Sequence, residues 1–122
     1  MPASQVAKVQ NFDFGAPAAE ASVLKFQVRK GGKCTLRFEN PEGVADGEVT
    51  VQVSNDGTTW ADMTAANNLT AVANESIPRK QWREYVVLLR ETEDAFMQVL
   101  AVGSTRLQMQ IRADAKLEVD VI

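Results

Sequence analysis

Residues 48–54 alternate apolar and polar side chains in strict order, and the stretch runs through a turn to Trp60. Val49, Val51 and Val53 fall on one face of an extended chain; Thr50, Gln52 and Ser54 fall on the other. Asn55, Asp56 and Gly57 follow, residues that tolerate the positive φ of a tight hairpin. A short return strand is expected over 59–63. The same period of two recurs on both sides of this stretch. Leu24, Phe26 and Val28 alternate with Lys25, Gln27 and Arg29, and after Gly31-Gly32 the alternation resumes with Cys34, Leu36 and Phe38. These two runs predict a hairpin whose six apolar residues enter the core. Residues 84–90 form an apolar run bounded by charges, which predicts a buried strand. Another strand is expected over 96–102. Leu107, Met109 and Ile111, then Leu117, Val119 and Val121, predict a closing hairpin over 106–122 that turns at Ala113-Asp114-Ala115. Its polar face would pair Arg112 and Lys116 with Glu118 and Asp120.

Other segments punctuate these strands. Residues 40–47 read as a loop broken by Pro41, Gly43 and Gly47. Residues 64–82 are the least regular: a loop over 65–68, a short strand over 69–72, and room for a helical turn near 64–68 or 79–83. Residues 91–94 are a charged turn. The total is about eight short strands and no long amphipathic helix. The fold class is all-β, an antiparallel β-sandwich or a jelly-roll-like barrel, because strands with one apolar face need a second sheet to cover them.

Residues 1–21 stand apart: they are rich in alanine and proline, with weak periodicity. The chain divides into an extended N-terminal arm, 1–21, and a β-sandwich domain, 22–122. In an extended arm Phe12 and Phe14 point the same way, which suits an intersubunit contact in a neighbour's groove.

Composition narrows the chemistry. At 122 residues the chain is one domain, large enough to bury a core unaided. It contains no histidine, which removes the commonest general base and the commonest metal ligand. A lone cysteine, Cys34, allows no internal disulfide and sits where a small buried apolar residue belongs. Net charge is −3, and the basic residues alternate with apolar ones, so no stripe follows a phosphate backbone and no nucleic acid partner is expected. No apolar run is long enough to span a membrane and no secretory h-region opens the chain, so no membrane contact and cytoplasmic synthesis are expected. Asn68-Leu69-Thr70 and Asn74-Glu75-Ser76 match the glycosylation pattern and read as ordinary loop sequence. The acids Glu39, Glu42, Glu48, Asp56, Asp62, Glu91, Glu93 and Asp94 fall in turns and on polar faces. The expectation is a non-enzyme without cofactor or metal.

Two kinds of function remain. A carbohydrate-binding or tail-associated adhesion module would use Trp60, Trp82 and Tyr85, with Asn67, Asn68 and Asp62 as polar partners. An assembly protein would act through its surfaces. Residues 49–60, with Tyr85 to Arg90 and the closing stretch Leu107 to Ile122, resemble the small β-sandwich virion proteins of tailed bacteriophages, nearest the capsid decoration (cement) group. The resemblance covers about the last 75 residues of the chain. It implies a homo-oligomer, with a trimer favoured, on the outer surface of a virion. There it would clamp joints between subunits of the major capsid protein, with the arm reaching a neighbour.

Overall fold

The structure is a computed structural model. It describes residues 3–15, 17–29, 32–42, 44–64, 71–89, 95–103 and 105–122. The loop at 65–68, the first half of the strand expected at 69–72 and the turn at 91–94 therefore lie outside the described residues, as do Asn67 and Asn68.

The chain is all-β. Its strands are β1 (Ala3–Gly15), β2 (Ala21–Arg29), β3 (Gly32–Glu39), β4 (Gly47–Ser54), β5 (Ala61–Asp62), β6 (Glu75–Ile77), β7 (Trp82–Leu89), β8 (Ala95–Val102) and β9 (Arg106–Val121). Every ladder is antiparallel, and the strand path runs β5-β4-β8-β2-β9-β3-β7. The strands divide into two sheets that share β9. Residues 118–121 of β9 pair with β2, and residues 108–113 pair with β3. β1 follows β9 along both stretches, with a register shift between Ala7 and Val9. The first sheet is thus β4-β8-β2-β9-β1, and the second is β7-β3-β9-β1. Phe26, Val28, Val49, Val51, Met97 and Val99 from the first meet Leu36, Phe38, Val87, Leu107, Met109 and Ile111 from the second in one buried cluster. This is the sandwich that the period of two requires. Cys34 is buried in that cluster and forms no disulfide.

Four expectations change. β2 and β3 do not form a hairpin: β2 pairs with β8 and β9, β3 with β7 and β9, so the two strands belong to different sheets. Residues 106–122 are not a hairpin either, because β9 runs unbroken for 16 residues. The reason lies in parity. Every odd position from Leu107 to Val121 is apolar and every even one from Gln108 to Asp120 is polar, so no step breaks the alternation as a turn would. Residues 84–90 were expected to be a buried strand; β7 is a strand and buries Val87, but it ends the strand path and Val86 is 41% exposed. Lastly, the stretch expected as a free arm is extended, but residues 3–15 form β1 along their own body. Phe12 stacks on Phe26 with ring centroids 6.3 Å apart, and Phe14 packs on the same core. An alternating segment with two phenylalanines on one side gains more by covering the core than by staying in water.

Asn40 pins the end where β3 leaves the sandwich. Its buried side-chain amide donates to the carbonyls of Ala45 (2.8 Å) and Ile77 (3.1 Å), and its Oδ1 accepts from the Thr105 hydroxyl (3.3 Å). One residue so ties the loop before β4, the end of β6 and the approach to β9. Gly103 takes φ 129° against the start of β4, where an added Cβ would lie 2.6 Å from the Asp46 carbonyl oxygen. Only glycine fits there.

Candidate functional site

The outer face of the second sheet is a small lattice. The registers place Asp13, Gln108, Glu39 and Trp82 side by side across β1, β9, β3 and β7. The next row is Asn11, Gln110, Arg37 and Glu84, and the third is Val9, Arg112, Thr35 and Val86. The cause is the pleat: in each strand the alternate positions are buried, as Cys34, Leu36 and Phe38 are in β3. A groove of about 400 Å³ runs over the first two rows, lined by Asn11, Asp13, Arg37, Glu39, Gln108 and Gln110.

Its charges are paired. Arg106 grips Asp13 through two bonds, Nε to Oδ1 at 3.0 Å and Nη2 to Oδ2 at 2.8 Å, and reaches Glu42 with Nη1 at 2.8 Å. That guanidinium holds the Asp13 carboxyl below its ordinary range. Arg37 lies 3.7 Å from Glu39 and 3.6 Å from Glu84, and its guanidinium sits 4.2 Å over the Trp82 ring centroid. The amides are aligned by their neighbours. Gln110 Nε2 donates to Asn11 Oδ1 at 3.0 Å, and Gln108 Nε2 approaches Asp13 Oδ2 at 3.4 Å. The chemistry on offer is hydrogen bonding. Among the described residues no group of three acids, cysteines or histidines could hold a metal ion.

A second feature is the open edge of β7. Asn40 N–H donates to the Gln81 carbonyl (3.0 Å), which sets the phase of the β3–β7 ladder. By alternation, Arg83, Tyr85 and Val87 turn their backbone groups toward β3, while Trp82, Glu84 and Val86 turn theirs outward. Among the described residues no strand lies on that outward side. Trp82 and Val86 are also among the exposed large apolar side chains.

The aromatic residues proposed for glycan contact are not brought together. Trp60 is half-buried beyond the β4 turn, at the far side of the first sheet. Trp82 faces outward from β7, but Arg37 covers its ring. Tyr85 faces the core, its ring centroid 6.1 Å from that of Phe38, and burial pushes its hydroxyl pKa up. Asp62 accepts from Gln52 Nε2 at 2.9 Å. Of the acids, Glu39 lines the groove and Glu42 binds Arg106. Asp56 caps the turn after β4, accepting from the N–H groups of Thr58 and Thr59, each at 2.8 Å. Glu91, Glu93 and Asp94 lie outside the described residues. The groove residues Asn11, Asp13, Gln108 and Gln110 were not singled out from the sequence. The available signal was the alternation of polar and apolar residues in Asn11-Phe12-Asp13-Phe14, which marks a strand with one polar face.

No protein-family model matches the chain. No curated protein matches it either. Among solved structures it is similar to the Yersinia pseudotuberculosis-derived mitogen, at 8% identity and a TM-score of 0.32, over 99% of this chain and 86% of that one. It is also similar to a family two carbohydrate esterase from Cellvibrio japonicus, at 10% identity and a TM-score of 0.19, over 88% of this chain and 35% of that one. Likenesses this distant bear on neither fold nor function.

Proposed function

We propose that this chain is a non-enzymatic virion structural protein of the capsid-decoration type. It binds the outer surface of a shell over joints between major capsid protein subunits, and it self-associates, with a trimer favoured. The resemblance of residues 49–60, 85–90 and 107–122 to phage β-sandwich virion proteins supports this reading. The observation that carries it is the open edge of β7. A strand with the apolar run Tyr85-Val86-Val87-Leu88-Leu89 and no proline is a template for another chain. Pairing there satisfies outward backbone groups and covers Val86 in one step. Repeated over symmetric copies, modest contacts add up to firm attachment. The intersubunit contact thus moves from Phe12 and Phe14, which pack on their own core, to β7.

Electron microscopy of shells built from the major capsid protein, with and without this protein, tests the reading. Added density over subunit joints is expected. Shells that stay bare at saturating protein would overturn it. A second reading, the carbohydrate-binding or adhesion module, is favoured by a different observation, the polar groove between β1, β9 and β3.

A further inference from the structure

We infer that the groove on the outer face of the second sheet binds a neutral saccharide, held by Asn11, Gln108 and Gln110 and not by the aromatic residues. The inference deepens the second reading above and is independent of the first. Three observations carry it.

The first is the inventory of open polar atoms. Gln110 Nε2 is committed to Asn11 Oδ1, and Gln108 Nε2 leans on Asp13. Asn11 Nδ2, Gln110 Oε1 and Gln108 Oε1 have no protein partner among the described residues. Each glutamine amide also keeps a second N–H, so the groove floor offers donors and acceptors side by side. A sugar hydroxyl both donates and accepts, so neighbouring hydroxyls complete such a set in a way that a purely anionic or cationic ligand does not.

The second is spacing. Adjacent strands place outward residues about 4.8 Å apart, and successive outward residues on one strand are about 6.8 Å apart. A pyranose ring with its hydroxyls spans a similar length, so one ring reaches Asn11, Gln110 and Gln108 together. The groove, at about 400 Å³, takes one or two rings.

The third is charge. The acids Asp13, Glu39, Glu42 and Glu84 surround Arg37 and Arg106, and each arginine already contacts two of them. Among the described residues that line the groove, no cation is left over for a phosphate or a uronate, and the surplus of carboxylates repels one; Arg112 lies one row beyond, next to Val9 and Thr35. Arg37 also occupies the Trp82 face, so the ring offers little platform for stacking. Binding by hydrogen bonds in an open groove is weak, in the millimolar range for a free sugar.

Side-chain and backbone amide resonances of the full chain, titrated with lactose, maltose and N-acetylglucosamine, test the inference, with glucuronate as the charged control. Saturable shifts of Asn11, Gln108 and Gln110 with at least one neutral sugar are expected, and none with glucuronate. Asn11→Ala and Gln110→Ala should each weaken binding about tenfold, while Asp56→Asn, on the other sheet, leaves it unchanged. Circular dichroism confirms that each variant is folded. No shifts with any neutral sugar, stronger shifts with glucuronate, or shifts centred on Trp60 would each overturn it. Val86→Pro tests the β7 edge and leaves the sugar shifts unchanged, so the two readings fail separately.

Discussion

The outer side of β4 and the outer side of β7 are both sheet edges, and the chain treats them differently. Along β4, β6 pairs with Gly47, Glu48 and Val49, and β5 pairs with Gln52 and Val53. Between them the Val51 N–H donates to the Val72 carbonyl (2.8 Å), and the Val51 carbonyl accepts from Met63 N–H (2.8 Å). Met63, Val72 and Ile77 bury their side chains completely as they do so. Three short pieces thus close that edge. Along β7 the described residues supply no such cover, although its composition is that of a strand with neighbours on both sides. An edge that is blunted protects a monomer; an edge left long and apolar serves a second chain.

The largest effects should come from the closed side. Gly103→Ala sets a Cβ 2.6 Å from the Asp46 carbonyl just before β4 begins, at a φ that disfavours alanine. It should cost about 2–5 kcal/mol in denaturant unfolding. Ile77→Ala leaves a cavity under β6 and should cost about 2–5 kcal/mol by the same measurement. Val86→Pro, on the open side, should change monomer stability far less, by about 1 kcal/mol or below, since the lost N–H points outward. In native mass spectrometry, however, it should shift the oligomer to monomer. The smallest effect concerns the turn that leads β4 into β5. Backbone N–H groups of Thr59 and Thr58, then the Ser54 hydroxyl, hold the Asp56 carboxyl well below its ordinary value of 3.8. A folded-state pKa that is lowered gives stability that is complete above the unfolded value and lost as pH falls. Melting temperature should therefore start to drop below pH 3.8, and Asp56→Asn should flatten that part of the profile.

The same contrast explains what the sequence made legible. Turn chemistry was readable at Asn55-Asp56-Gly57 because it is local. The Ser54 hydroxyl accepts from the Asp56 and Gly57 N–H groups (3.2 and 2.9 Å), and Gly57 takes φ 80°. The inward residues of β3, β4 and β8 were readable because a period of two marks a face whatever the neighbour. Pairing was not readable, because period says nothing about partners. Gly31-Gly32 suggested a hairpin, yet β2 and β3 gain more by lining opposite sheets. Alanines at 113 and 115 suggested a turn, yet the parity through β9 never broke. The groove depends on bonds between residues 95 and 99 positions apart, Gln108 to Asp13 and Gln110 to Asn11, which no local pattern reveals. Whether an apolar strand lies in the middle of a sheet or at its edge is likewise settled by the rest of the chain, as Val86 demonstrates.

Hydrogen exchange at the backbone amides of Glu84 and Val86, followed in the purified protein at high and low concentration, tests the β7 edge most directly. The account predicts slow exchange at both amides when the protein is concentrated and fast exchange once dilution separates the copies. Amides that exchange at open-edge rates at every concentration would contradict it.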